Sequence, residues 1–245
     1  MKKWSVLIAV LLTVLCLSVC HAESAFDPAA VAVGDIVTFG HYEQDNDLDN
    51  GPEPIEWIVL DVQDGKALLL SKYGLEAIPY NVDYVDVTWE TCTLRAWLND
   101  HFLNKAFNAK EQAAIPTTKV DNSDAQGFDW PIKSASGGNN TEDKAFLLSY
   151  AEANRYLDVT RLDNENTKSR VTPTEYAIKT GAYVISAYTT ADGAPAGWWW
   201  LRSPGPLQSN AAMVFYVGAL NYNLVYDYIG VARPALWVDL KAGVF

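Results

Sequence analysis

The chain has 245 residues, 49% of them hydrophobic and 12% aromatic, and carries 30 acidic against 18 basic side chains for a formal net charge of −12. That balance excludes nucleic acid and anionic membrane surfaces as electrostatically attracted partners. The apolar fraction excludes a disordered chain and suffices for one well-buried core.

The N-terminus reads as a secretory signal peptide over residues 1–22. Lys2 and Lys3 form a basic region, Val6 to Val19 is an uncharged apolar run, and Cys20-His21-Ala22 is a small-x-small cleavage site. Cleavage after Ala22 predicts a secreted or cell-envelope associated protein. The run is too short for a comfortable membrane span of about 20 residues. Leu17-Ser18-Val19-Cys20 resembles a lipobox with Val where Gly or Ala is wanted, so lipidation at Cys20 is the lesser alternative. Loss of residues 1–22 removes Cys16, Cys20 and two lysines, which moves the charge to −14 and leaves Cys92 alone. An internal disulfide is then impossible, and Cys92, beside Leu94 and Trp97, reads as a buried thiol.

Residues 23–33 form a lead without strong pattern, and one domain is expected over 34–245. Asp35 to Gly40 alternates at period two, and Ile55 to Val62 and Ala67 to Ser71 are two further β-rich runs. The first hairpin has a polar loop, Gln44 to Pro54. The second turns at Asp64-Gly65, which supplies positive φ. Leu94, Trp97, Leu98 and Phe102 recur on one helical face, with Thr91 or Thr93 available as cap. A short helix over Ala109 to Ile115 ends at Pro116, and Asp121 to Thr141 is a loop rich in Gly, Asn, Ser and Asp. Phe146-Leu147-Leu148 is a buried strand. Ser149 with Glu152 forms a capping box for a helix through Tyr156 or Leu157, and Thr172-Pro173-Thr174-Glu175 repeats the device, with Pro at the first helical position and a stop at Gly181. Trp198 to Ser203, Ala211 to Val217, Leu224 to Ile229 and Ala235 to Asp239 read as closing strands. Strands, helices and strands again predict a single α+β domain, a mainly antiparallel sheet with a few packed helices.

Five segments in order resemble one bacterial extracellular family. They are Phe39-Gly40 with Tyr42-Glu43-Gln44, Pro54-Ile55-Glu56-Trp57, Leu68 to Tyr73, Trp89 to Leu98, and Trp199-Trp200-Leu201-Arg202-Ser203-Pro204-Gly205. Together they are similar to domain of unknown function 6273. The resemblance implies a fold similar to C-type lectins and formylglycine-generating enzymes. The family's closing motif, Gly-Val-Arg-Pro-Ala-Leu, is interrupted here by Ala232 between Val231 and Arg233, which puts the register of the last strand in question.

The chemistry that this resemblance suggests lacks its residues. Oxidation of the formylglycine type needs a cysteine pair for copper, and lectin-type calcium binding needs Glu-Pro-Asn or Gln-Pro-Asp with Trp-Asn-Asp; residues 23–245 contain neither set. Asp45, Asp47, Asp49 and Glu56 stand at positions 1, 3, 5 and 12 of a hand-type loop, but its Gly is misplaced and Glu56 belongs to a strand, so a solvated hairpin loop is expected and no metal or cofactor is assigned. His41 at a turn and His101 on a helix are weak candidates for a base, and common hydrolase, nucleotide and zinc signatures are missing. Glu56 and Glu90 are carboxylates from which a glycosidase pair could be assembled. No catalytic residue is assigned.

What remains is a surface. Three consecutive tryptophans, Trp198, Trp199 and Trp200, place rings on both faces of a strand, and at least one is expected to be exposed. Tyr216, Tyr222, Tyr226 and Tyr228 alternate with Asn221, Asn223 and Asp227 in a composition suited to adaptable contact. Arg202, Arg233 and Pro234 are expected to be structural, the arginines stacking on rings or bridging carbonyls at a chain crossing. The leading expectation is an exported, non-catalytic binding module for a protein or glycan. The alternatives are a carboxylate enzyme acting on cell-envelope polymer and a structural envelope component.

Overall fold

The tight turn at Asp64-Gly65 organises the first sheet in the computed structural model, which describes residues 30–133, 135–161 and 166–245. Both residues take positive φ, 53° and 74°, which joins β2 (Glu53–Gln63) to β3 (Lys66–Ser71) in the twist that antiparallel strands prefer. β1 (Ile36–Tyr42) pairs with β2 across the polar loop. The signal peptide expected at 1–22, with Cys20, and most of the lead fall outside the described residues.

After β4 (Glu76–Ala77), α1 (Thr93–Trp97) continues through a π-helical turn, Leu98–Phe102, into α2 (Leu103–Ala106). Leu94, Leu98 and Phe102 are buried, as their spacing requires. The expected threonine cap is corrected: Cys92 holds the N-cap position and its side chain makes no capping bond. Thr93 Oγ1 instead accepts from the Val82 amide and Thr91 Oγ1 from the Thr88 amide, so both hydroxyls fasten the preceding loop.

α3 (Ala109–Ala114) starts in a capping box between Asn108 and Glu111. β5 (Thr118–Val120) and β6 (Thr141–Asp143) pair and close the long polar excursion between them, and β7 (Ala145–Phe146) follows. α4 (Tyr150–Leu157) opens on the Ser149–Glu152 capping box foreseen in the sequence. α5 (Glu175–Thr180) is capped by Thr174 and not by Thr172, so Pro173 precedes the cap. Thr172 and Thr174 both hydrogen-bond the Gly74 backbone, which holds this segment extended, the conformation that a residue before Pro prefers.

The closing third contains β8 (Ile185–Thr189), β9 (Pro195–Ala196), β10 (Trp199–Pro204), β11 (Asn210–Val214), β12 (Leu220–Leu224), β13 (Val231–Ala232) and β14 (Ala235–Asp239). The strand expected at Leu224 to Ile229 lies earlier. Asp227 folds its stretch into a turn: its amide donates to the Leu224 carbonyl, and its carboxylate accepts from the Ile229 amide and Asn223 Nδ2.

Two five-stranded sheets result, in the orders β1-β2-β3-β14-β7 and β12-β11-β10-β13-β4, with only the β10–β13 contact parallel. The chain passes between them twice, side by side, at Ser71 to Glu76 and at Ala232 to Ala235. The Ser71 amide donates to the Pro234 carbonyl, and Arg233 Nε donates to the Ser71 carbonyl at 2.8 Å. Ala232 therefore causes no slip: β14 runs in continuous register against β3 from Ala235↔Leu70 to Asp239↔Lys66. One hydrophobic cluster joins both sheets and the helices, which makes the molecule a single, mainly antiparallel α+β domain.

Candidate functional site

The tryptophan triplet belongs to the core, which corrects the expectation of an exposed ring. Trp198, Trp199 and Trp200 are 2%, 0% and 0% exposed. Trp198, immediately before β10, meets Trp200 edge to face at 4.7 Å; a side chain at Gly230 would collide with the Trp198 ring. Trp200 Nε1 donates to the Ile78 carbonyl at 2.9 Å. On the opposite face Trp199 Nε1 donates to the Ser169 carbonyl, and the Arg233 guanidinium lies 4.9 Å from the Trp199 ring centre. β10 is an interior strand covered on both faces, so a continuous aromatic run records burial and not display.

The neighbouring tyrosines separate into two groups. Tyr216 is half-buried against Phe215 and Tyr188. Tyr222, Tyr226 and Tyr228 are exposed, and Tyr226 stacks edge to face on exposed Tyr84 at 5.2 Å.

β12 is the outer strand of its sheet, and its asparagines have an internal task. Asn221 and Asn223 oppose Met213 and Ala211, and the flanking bonds from Phe215 to Ala219 and from Val225 to Ser209 fix the phase of the ladder. The amides of Leu220, Tyr222 and Leu224 consequently point to the free edge. Tyr222 N–H donates to Asn221 Oδ1 at 2.9 Å and Leu224 N–H to Asn223 Oδ1 at 2.8 Å, while Leu220 N–H reaches the Thr160 carbonyl. Asn223 Nδ2 is also bound to Asp227 at 2.6 Å. The side-chain oxygens expected to meet a ligand cap the edge donors.

Tyr222 opens onto a groove of about 500 Å³ whose wall includes Trp130, Ile132, Arg161, Leu207 and Leu224. The Trp130 and Tyr222 rings meet edge to face at 5.1 Å, and the Arg161 guanidinium lies 4.9 Å from the Trp130 ring centre. Ile132 and Leu207 are exposed on the rim. Trp130 and Ile132 come from the long polar excursion, nearly a hundred residues away in sequence, so nothing in their local pattern tied them to β12.

A second concavity, of about 330 Å³, includes Lys72, Lys168, Arg170 and Arg233 in its wall. Much of this charge is compensated within the protein: Lys72 pairs with Glu56 and Lys168 with Asp158. Burial lowers Arg233 to about 9. Arg202 is satisfied by the Leu147 and Asp121 carbonyls, Asn122 Oδ1 and both oxygens of Glu152. Both arginines bridge separate chain segments.

The other candidates are dispersed. Glu56 pairs with Lys72, and Glu90 accepts from Asn139 on the surface. His41 is exposed on β1, and exposed His101 stacks on Trp97 at 5.9 Å. Cys92 is buried, and burial pushes its thiol up to about 12. Among the described residues, no helix is long and apolar enough to cross a membrane.

Residues 64–240 match the model of the family described as Domain of unknown function (DUF6273), and the chain belongs to that family. No curated protein and no solved structure matches the chain.

Proposed function

We propose that this member of the family is an exported, non-catalytic binding module that recognises an extended protein segment through the groove between Trp130 and β12. The observation that carries this is the groove itself: an edge-to-face Trp130–Tyr222 pair under a rim of exposed Ile132 and Leu207. Concave, mainly apolar surfaces with a few polar groups suit ligand recognition. The aliphatic wall favours an apolar or aromatic anchor side chain over a sugar, whose hydroxyls need dense hydrogen bonding. Arg161 adds one positive charge beside that anchor. Export rests on the signal peptide pattern of residues 1–22. The antiparallel α+β architecture is compatible with a C-type-lectin-like scaffold, and that likeness says nothing of the ligand by itself.

The test is selection of a displayed random-peptide library on the immobilised protein, in parallel with a glycan array. Peptides sharing an apolar or aromatic anchor are expected, with binding weakened at least tenfold by Tyr222→Ala and by Ile132→Asp. Silence in the library, or binding that neither variant alters, removes the proposal. Array binding lost in the same variants would transfer the groove to a carbohydrate.

A further inference from the structure

The polar loop between β1 and β2 gathers three carboxylates, of which the hand-type spacing selects only Asp45. Glu43, Asp45 and Glu53 each offer an oxygen, and all three oxygens lie within 4.8 Å of one another. We propose that these residues form a binding site for a hard divalent cation, calcium foremost.

An acidic cluster alone is common on a chain this negative, but this one contains a buried and unpartnered acceptor. Glu43 is 4% exposed, and its Oε1 is shielded from solvent without a hydrogen-bond partner. A buried carboxylate oxygen left bare costs free energy unless a proton or a cation completes it. Among the described residues, no Lys, Arg or His forms an ion pair with any of the three.

The other two ligands are already oriented. Asp45 Oδ1 accepts from the Asp47 amide at 2.8 Å and its Oδ2 from Asn50 Nδ2 at 2.9 Å. Glu53 Oε2 accepts from the amides of Gln44 and Asp45. Such bonds behind ligating oxygens fix their direction toward a metal. The loop is tied to the body of the protein through the Gln44 carbonyl, which accepts from the Tyr176 amide at 3.0 Å. The cluster has no imidazole or thiolate, so it favours an oxygen-seeking cation over zinc or copper, and an irregular loop tolerates the longer bonds of calcium better than it meets the strict octahedron of magnesium. None of the three residues borders the Trp130 groove, so the inference stands apart from the proposed function.

The experiment is a calcium titration of the chelator-treated protein, read by thermal unfolding and by terbium luminescence sensitised through Tyr42 and Tyr176. A cation that binds only the folded chain should raise Tm by about 5 °C once calcium exceeds its Kd a hundredfold. Glu43→Gln and Glu53→Gln should fold without calcium at least as stably as the wild type, because repulsion is relieved, and should lose the calcium shift and the luminescence. Asp49→Asn should keep both. No calcium shift and no terbium signal in the wild type, the result expected if Glu43 only shares a proton with Asp45, overturns the assignment. So does an undiminished shift in both glutamine variants; if Glu43→Gln fails to fold, Glu53→Gln and Asp45→Asn decide.

Discussion

Arg202 grips Glu152 with a two-pronged contact, Nη2 donating to Oε1 at 2.8 Å and Nη1 to Oε2, at the point where β10 meets the start of α4. Glu152 Oε2 also accepts from the Ser149 amide, so one carboxylate serves the helix cap and the sheet together. The guanidinium is desolvated, its side chain 1% exposed, and every nitrogen of the fork has a partner.

This relationship predicts unequal costs for the two arginines of the chain crossings. Arg202→Met removes the charged partner of Glu152 and the donor to two carbonyls and Asn122 Oδ1, and should cost about 3–5 kcal/mol. Arg233 donates through Nε to Ser71 and lies on the Trp199 ring, but its Nη1 is buried without a partner and no carboxylate among the described residues pairs with it, so Arg233→Met removes a poorly compensated charge along with one bond. That loss should be smaller, about 1 kcal/mol. Urea unfolding of the two variants checks this, and equal costs would contradict the difference in pairing.

Where a local cause sufficed, the sequence was enough to place the elements. Asp64-Gly65 made its turn, Ser149 with Glu152 made its cap, and Leu94, Leu98 and Phe102 fell on one buried face. Errors came where a distant backbone decided, or where one side chain inside a stretch overrode its composition. Gly74 holds Thr172 and Thr174 extended and so moves a helix cap by two residues, while Asp227 folds a branched and aromatic stretch that composition alone reads as strand. The candidate site was half legible. Exposed Tyr222 was anticipated, but its partner Trp130 is brought to it by an excursion without a periodic pattern, and the burial of Trp198 follows from sheet order, which alternation does not encode.

Cys92 should resist modification in the folded protein. It sits at the start of α1, where backbone amides favour a thiolate, yet burial outweighs them and pushes the thiol up to about 12. At pH 8 iodoacetamide should label the Cys92 peptide about a thousandfold more slowly in native protein than in urea, followed by mass spectrometry. Comparable rates in both states would show that the thiol is open.

Glu76 supplies a pH dependence. Tyr42 Oη donates to Glu76 Oε2 at 2.6 Å, and burial raises the Glu76 carboxyl above its ordinary 4.5 although this hydrogen bond, Lys105 and His101 pull it down. The native state therefore holds this proton to higher pH than the unfolded chain does. Its contribution to stability is complete below about 4.5 and declines as pH rises through the native value. Glu76→Gln keeps an acceptor for Tyr42 without the charge. The stability of this variant minus that of the wild type should grow between pH 4 and pH 7 in urea titrations; a flat or falling difference would refute the assignment.

The free edge of β12 gives the last prediction. An outer strand with bare donors invites a second chain to pair with it, and here Asn221 and Asn223 occupy the outward amides of Tyr222 and Leu224. Replacing both asparagines by Ala uncovers two successive outward donors, on Tyr222 and Leu224 of a five-residue strand. Because water can solvate them, the loss of monomer stability should be small, about 1 kcal/mol. Association should change far more: light scattering after size exclusion should show a concentration-dependent dimer of the Ala pair at protein levels where the parent chain shows none. Asn221→Asp with Asn223→Asp retains an acceptor at each position and adds repulsion along the edge, so it should remain monomeric. Dimerisation of the Asp pair to the same extent, or an Ala pair that behaves as the parent does, would mean that something other than these amides keeps the edge closed.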